Sequence, residues 1–136
     1  MKDELPLHDA TFDGLIKHGN NCELFFSTPD GSGCEVYLSG VDALQMDDFR
    51  EGNICVYFGT TTRERPSNIT AFERLYGPPH PTAPAEYHKK YDAFRDRKIE
   101  AVADGELIFV EMYPAIGANL VAACKRVQLR VRSDDS

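Results

Sequence analysis

A chain of 136 residues is long enough to bury a hydrophobic core, and we predict that residues 1–136 form a single domain. Hydrophobic residues make up 42% and charged residues 27%, which is typical of a folded protein and excludes a disordered one. The net charge of −7 argues against nucleic acid as a partner. No apolar run reaches the ~20 residues that span a bilayer, and the charged N-terminus lacks a secretory signal core. We therefore expect a cytoplasmic protein without a membrane partner.

The first part of the chain predicts a meander of short strands. Alternating side chains indicate a strand over 10–18 and two more over 22–28 and 34–39. The turn residues 29–33, with the sequence PDGSG, join the last two strands into a hairpin.

One register of this hairpin separates apolar from mixed side chains. With the turn centred on Asp30, the opposed residues on one face are all apolar. These pairs are Cys22–Leu38, Leu24–Val36 and Phe26–Cys34. The opposite face is mixed, with Phe25 beside Glu35 and Tyr37 nearby. Because a shift by one residue would oppose apolar to polar side chains on both faces, we predict this register.

The rest of the chain predicts a central helix between strands. Apolar residues at helical spacing indicate the helix, and a strand that is apolar on both faces is typical of the centre of a sheet. The elements predicted after residue 53 are a strand over 54–62, a proline-rich loop over 63–83, a helix over 84–104, a strand over 106–113, a segment at 118–124 that fits a helical turn or a strand, a strand over 127–131 and a frayed tail over 133–136.

These elements predict an α+β fold. We expect a curved antiparallel sheet of five to seven strands, with the helix over 84–104 packed on one face. The residues expected to be buried are Phe12, Ile16, Leu24, Phe26, Val36, Leu38, Ile54, Val56, Phe58, Phe94, Ile108, Val110 and Leu129.

The cysteines and histidines show no ligand spacing. Cys22, Cys34, Cys55 and Cys124 form no C-x-x-C pair, and the four histidines are scattered. We predict four reduced thiols in the core, no metal site and no cofactor.

Charge is distributed unevenly along the chain. The first 56 residues carry eleven acidic and three basic side chains, a net of −8, whereas the remaining 80 have a net of +1. Within the acidic part, Asp42, Asp47, Asp48 and Glu51 lie close together in sequence. They predict a contact surface for a basic protein, although a solvated acidic surface fits the same pattern.

A second set of residues indicates a different kind of site. His8 and Asp9 are adjacent, Arg63 and Arg65 flank the start of the long loop, and Tyr91 lies on the predicted helix. Together they would suit a small-molecule or enzymatic pocket between helix and sheet, provided that the fold brings them into one cleft.

The motif Leu7-His8-Asp9-Ala10 opens a pattern that resembles a group of small bacterial proteins. The resemblance continues through the hairpin turn, Ser39-Gly40-Val41, Asp48-Phe49 and Asn53-Ile54. It covers about the first 60 residues and, more weakly, residues 105–129. Most members are uncharacterised, and some resemble the immunity proteins of bacterial toxin systems. The resemblance implies a short-strand meander, and no catalytic residue carries over from it.

Three functions follow as hypotheses. The first is a non-enzymatic binding protein, of the immunity type, that masks a basic toxin through its acidic surface. The second is the small-molecule or enzymatic pocket. The third is a homodimer joined through a sheet edge or through the mixed hairpin face with Phe25 and Tyr37.

Overall fold

The computed structural model describes residues 1–132, so the predicted tail over 133–136 lies outside the described residues. Within these described residues the architecture is α+β, with an antiparallel sheet of nine strands and two helices. The strands are β1 (Lys2–Glu4), β2 (Thr11–His18), β3 (Asn21–Ser27), β4 (Gly33–Ser39), β5 (Ala43–Asp47), β6 (Asn53–Thr61), β7 (Ile108–Ile116), β8 (Asn119–Cys124) and β9 (Arg126–Val131). The helices are α1 (Ile69–Leu75) and α2 (Ala85–Ala103).

The sheet closes on itself. Its strand order is β5-β8-β7-β6-β2-β3-β4-β9, and β1 also pairs with β6. β5 continues β4 after a bend at Gly40, and β9 continues β8 after Lys125. Because β4 pairs with β9 while β5 pairs with β8, the two ends of the strand order belong to the same pair of bent strands. These bends, together with the short β1, raise the count above the predicted five to seven strands.

The interior of the closed sheet forms the main hydrophobic core. Phe12 packs against Phe26, and Phe26 meets Phe58 edge to face, with ring centroids 5.2 and 5.9 Å apart. Val110 and Met112 of β7 enter the same core. A closed antiparallel sheet buries its inner face in this way and leaves its outer face to solvent or to a covering layer.

Both helices contribute to a second core on the outer face of β7 and β8. Phe72 of α1 packs edge to face on Phe109, and Ile99 and Val102 of α2 join the same cluster. The predicted single helix packed along one face is therefore not what the structure shows. α1 lies inside the segment predicted as a loop, and α2 buries only residues near its C-terminal end.

Several local predictions are confirmed. β3 and β4 pair in the predicted register, with Cys22 opposite Leu38 and Phe26 opposite Cys34. α2 has the predicted bounds within one residue. The ambiguous segment at 118–124 is strand β8, which is buried along nearly its whole length.

Three residues predicted to be buried are exposed, namely Ile16, Val56 and Phe94. A β-bulge after Phe12 reverses the alternation in β2, and Val56 is left unpaired by a bulge between Cys55 and Tyr57 in β6. Phe94 packs edge to face on Tyr76 and is 37% exposed. The other predicted core residues are buried or partly buried.

All four cysteines are free and buried. Burial raises the pKa of each thiol, to about 11 for Cys55 and Cys124. Neither helix within residues 1–132 is long and apolar enough to cross a membrane.

Candidate functional site

The structure uses two of the four predicted acidic residues to hold the helices. Asp42 accepts a hydrogen bond from Tyr76 at 2.6 Å and pairs with Lys98 at 2.9 Å. Burial alone would raise the pKa of Asp42, but these partners outweigh it and hold that pKa below its usual value. Asp47 faces Arg74 at 3.8 Å. Much of the negative charge in this segment is therefore balanced within the chain.

The other two acidic residues lie on the exposed loop after β5. Asp48 has a positive φ of 59°, a backbone conformation that aspartate tolerates better than most residues. Glu51 lines a cavity of about 250 Å³ together with Asp13 and the half-exposed Phe49. Within residues 1–132, neither Asp48 nor Glu51 forms an ion pair, so both remain free for a partner.

The residues of the second predicted site lie in three places. His8 Nδ1 lies 3.1 Å from Asp9 Oδ2 in the connection between β1 and β2. Arg63 lies against Gly105, and Arg65 pairs with Glu100, both beside the C-terminal end of α2. Tyr91 lies earlier on α2. In the described part of the chain, no hydrogen bond or ion pair joins these groups, and their predicted convergence is not seen.

A different cluster of polar side chains forms on the outer face of β1, β6 and β7. In the pairing of these strands, Glu4 lies opposite Gly59, and Gly59 lies opposite Glu111. Opposed residues of antiparallel strands point to the same side, so the two glutamates flank a position without a side chain. We call this cluster the carboxylate–tyrosine pocket. Its cavity of about 240 Å³ is lined by Lys2, Tyr57, Thr61, Ser67, Glu111 and Tyr113.

Gly59 gives the pocket its shape. A Cβ atom at this position would lie 2.1 Å from the hydroxyl oxygen of Tyr57, so the Tyr57 ring extends over the glycine. The Tyr57 ring also stacks on Tyr113, with centroids 5.8 Å apart and an angle of 19° between the planes. A glycine inside a strand often marks such a close approach.

Glu111 is the carboxylate of the pocket, and it is only 9% exposed. The Tyr113 hydroxyl donates a hydrogen bond to Glu111 Oε2 and accepts one from Asn68 Nδ2 at 3.0 Å. Asn68 also caps α1, where its Oδ1 accepts a hydrogen bond from the backbone N–H of Ala71 at 3.1 Å. The start of α1 is thereby fixed against the wall of the pocket.

Both tyrosines remain protonated. Burial raises the pKa of Tyr57, and the charges of Glu111 and Glu4 raise it further. Burial and the hydrogen bond to Glu111 raise the pKa of Tyr113 well above its usual value. The two hydroxyls are therefore neutral donors beside an acceptor carboxylate.

One cation, that of Lys2, lines the same cavity, but Lys2 does not pair with Glu111. Lys2 donates to Ser67 Oγ at 2.6 Å, and no ion pair involves Glu111 among the residues that the structure describes. A buried carboxylate is costly unless it is paired, and the faces of tyrosine rings attract cations. The arrangement therefore suits an ammonium or guanidinium group.

Comparison with protein-family models, with curated proteins and with solved structures found no match. The site is therefore interpreted from its own chemistry.

Sequence reasoning missed this pocket, although two signals were present. Glu111 interrupts the apolar run from Leu107 to Met112, and a charged residue in a strand buried on both faces needs a local partner. Gly59 lies inside strand β6, where a residue without a side chain is unusual. The sequence does not reveal that β1 pairs with β6 and thereby places Glu4 in line with Gly59 and Glu111.

Proposed function

We propose that this chain is a non-enzymatic binding protein that takes a lysine or arginine side chain of a basic protein partner into the carboxylate–tyrosine pocket. The observation that carries the proposal is the carboxylate of Glu111, which is nine-tenths buried beside two stacked tyrosines and has no cation paired with it within residues 1–132.

Three features of the pocket fit a cationic side chain, namely the Glu111 carboxylate, the two tyrosine rings and the Glu4 charge. The Glu111 carboxylate supplies a charge-assisted hydrogen bond, worth ~1.5–3 kcal/mol when the partners are desolvated. Tyr57 and Tyr113 line the same cavity, and a cation over the face of either ring would gain a cation–π contribution of ~0.5–2 kcal/mol. Glu4, across Gly59, adds negative charge at the rim.

The acidic first part of the chain supports a protein as the source of that cation. Asp48 and Glu51 carry exposed charge outside the pocket and would attract a basic partner during approach. The resemblance to immunity proteins of toxin systems suggests a basic toxin as that partner. In this proposal the acidic segment speeds association, whereas Glu111 slows dissociation.

The homodimer hypothesis has less support. Arg130 lies over the Tyr37 ring at 5.1 Å, and Arg132 lies over the Phe25 ring at 5.7 Å. The mixed hairpin face is thus covered by Arg130 of β9 and by Arg132, which follows β9, and it offers little free aromatic surface.

The direct test is a titration of the protein with two short peptides that differ in one residue. One carries an arginine flanked by glycine and serine, and the other carries citrulline, which keeps the shape but lacks the charge. We expect the arginine peptide to bind and the citrulline peptide to bind roughly tenfold more weakly or not at all. Isothermal titration calorimetry measures both.

Two matched variants assign any binding to the pocket. Glu111→Gln keeps the size of the side chain and removes its charge, whereas Glu106→Gln makes the same change at an exposed position. We expect weaker arginine-peptide binding by Glu111→Gln and unchanged binding by Glu106→Gln. Equal affinities of the two variants would refute the proposed role of the pocket.

A further inference from the structure

A third cavity lies at one end of the closed sheet, away from the carboxylate–tyrosine pocket. It has a volume of about 360 Å³ and lies between β2 and the connection from β4 to β5. Leu15, Val41 and Leu44 line its walls, together with the thiol-bearing Cys22. The volume falls within the ~300–1,000 Å³ typical of small-ligand sites.

The bulge in β2 determines which side chains face this cavity. Beyond the bulge, Leu15 pairs with Leu24 and Lys17 pairs with Cys22. Leu24 and Cys22 belong to the interior core, so Leu15 and Lys17 share the inner face of the sheet. Without the bulge, the alternation would send Lys17 to the outer face.

An ammonium group therefore lies at the mouth of an apolar cavity. Lys17 is exposed and, within the described residues 1–132, takes part in neither an ion pair nor a side-chain hydrogen bond. One lining residue, Asp42, is a carboxylate, and its Oδ2 already pairs with Lys98 Nζ at 2.9 Å. Lys125 adds positive charge nearby, since its side chain lies against Gly40.

We infer that this end of the closed sheet binds a small anionic amphiphile, namely a free medium-chain carboxylate. Its hydrocarbon chain would occupy the space between Leu15, Val41 and Leu44, and its carboxylate would pair with Lys17. The inference does not depend on the function proposed for the carboxylate–tyrosine pocket.

Binding of decanoate, with decanol as its neutral counterpart, tests the inference below the micelle concentration of decanoate and below the aqueous solubility of decanol. We expect decanoate to bind and decanol to bind roughly tenfold more weakly, because one charge-assisted contact is absent. Equal binding of the two, or no binding of decanoate, would overturn the inference.

The cysteines supply a second readout on the unaltered protein. Of the four cysteines, all within residues 1–132, only Cys22 lines the cavity. Decanoate should slow alkylation of Cys22 by iodoacetamide, as followed by peptide mass spectrometry, more than it slows alkylation of Cys34 and Cys55. Unchanged alkylation of Cys22 would contradict a ligand seated in this cavity.

A pair of lysine variants separates the charge contact from packing. Lys17→Met keeps an apolar stem and removes the ammonium group, and Lys89→Met makes the same change on the exposed surface of α2. We expect Lys17→Met to lose the preference for decanoate over decanol and Lys89→Met to retain it. Retention of the preference by both variants would refute the role of Lys17.

Discussion

Replacing Asn53 with alanine tests how one end of the closed sheet is held together. Asn53 is only 2% exposed. Its Oδ1 accepts hydrogen bonds from the backbone N–H groups of Arg50 and Ala118, both at 2.9 Å. Its Nδ2 donates to the carbonyl oxygen of Phe12 at 3.2 Å. One amide thus joins β2, the loop before β6 and the turn between β7 and β8.

The expected cost follows from what the substitution leaves unpaired. Each buried polar group that loses its partner costs ~1–3 kcal/mol, and the Ala118 N–H and Phe12 carbonyl are both buried. The Arg50 N–H is partly buried and regains a water molecule. We therefore expect Asn53→Ala to lower the free energy of unfolding by ~3–4 kcal/mol. For a chain of this length that corresponds to a fall in melting temperature of roughly 10–15 °C.

Urea denaturation followed by circular dichroism measures this change. Asn21→Ala is a suitable control, because Asn21 makes one longer hydrogen bond, to the backbone N–H of Gly40 at 3.3 Å. We expect that control to lose about 1 kcal/mol or less. A loss of under ~1 kcal/mol for Asn53→Ala would refute the reasoning, since it would mean that water replaces the amide fully.

Three further changes have defined outcomes. Asp42→Asn should lower the free energy of unfolding near neutral pH. Because the folded pKa of Asp42 is depressed, the contribution of its charge to stability is present above the unfolded pKa of ~3.9 and is lost as pH falls through the folded value. Urea titrations below about pH 4 should therefore bring the stabilities of wild type and variant together. Gly59→Ala should displace the Tyr57 ring from Tyr113, lower the free energy of unfolding by about 1 kcal/mol and weaken arginine-peptide binding. An unchanged near-ultraviolet circular dichroism spectrum would contradict the displacement of the ring. Phe72→Ala should cost ~3–5 kcal/mol and make residues 63–83 sensitive to protease, whereas unchanged protease resistance would contradict the anchoring role of α1.

Local patterns were sufficient where one short-range rule dominates. The register of the β3–β4 hairpin follows from period-two alternation, because a slip by one residue would expose Leu24 and Phe26 together. The bounds of α2 follow from apolar spacing and from Gly105 after its end. Strand β7 was correctly identified as buried on both faces.

The bulges in β2 and β6 lie beyond such rules. A bulge is set by how a strand fits two neighbours at once, and β2 and β6 each have a neighbour that is distant in sequence. The alternation in β2 predicted Ile16 on the buried side, yet the bulge places Leu15 and Lys17 there. The end cavity and its lysine are a consequence of that reversal.

The charged residues show the same dependence on long-range pairing. Asp42 and Asp47 were expected on a free acidic surface, but Lys98 and Arg74 of the helices face them. Residues 47 and 74 are far apart in the chain, and no local pattern specifies that they meet.

The sequence by itself determined the α+β class, the hairpin register, the extent of α2 and the apolar character of β7, because these depend on side-chain periodicity over a few neighbouring residues. Only the tertiary structure decided that the sheet closes, that α1 lies within the proline-rich segment, and that Glu4, Gly59 and Glu111 align on three adjacent strands. The alignment depends on strand pairing between segments more than 50 residues apart. The free energy of that pairing is spread over many contacts, so no short sequence pattern predicts it.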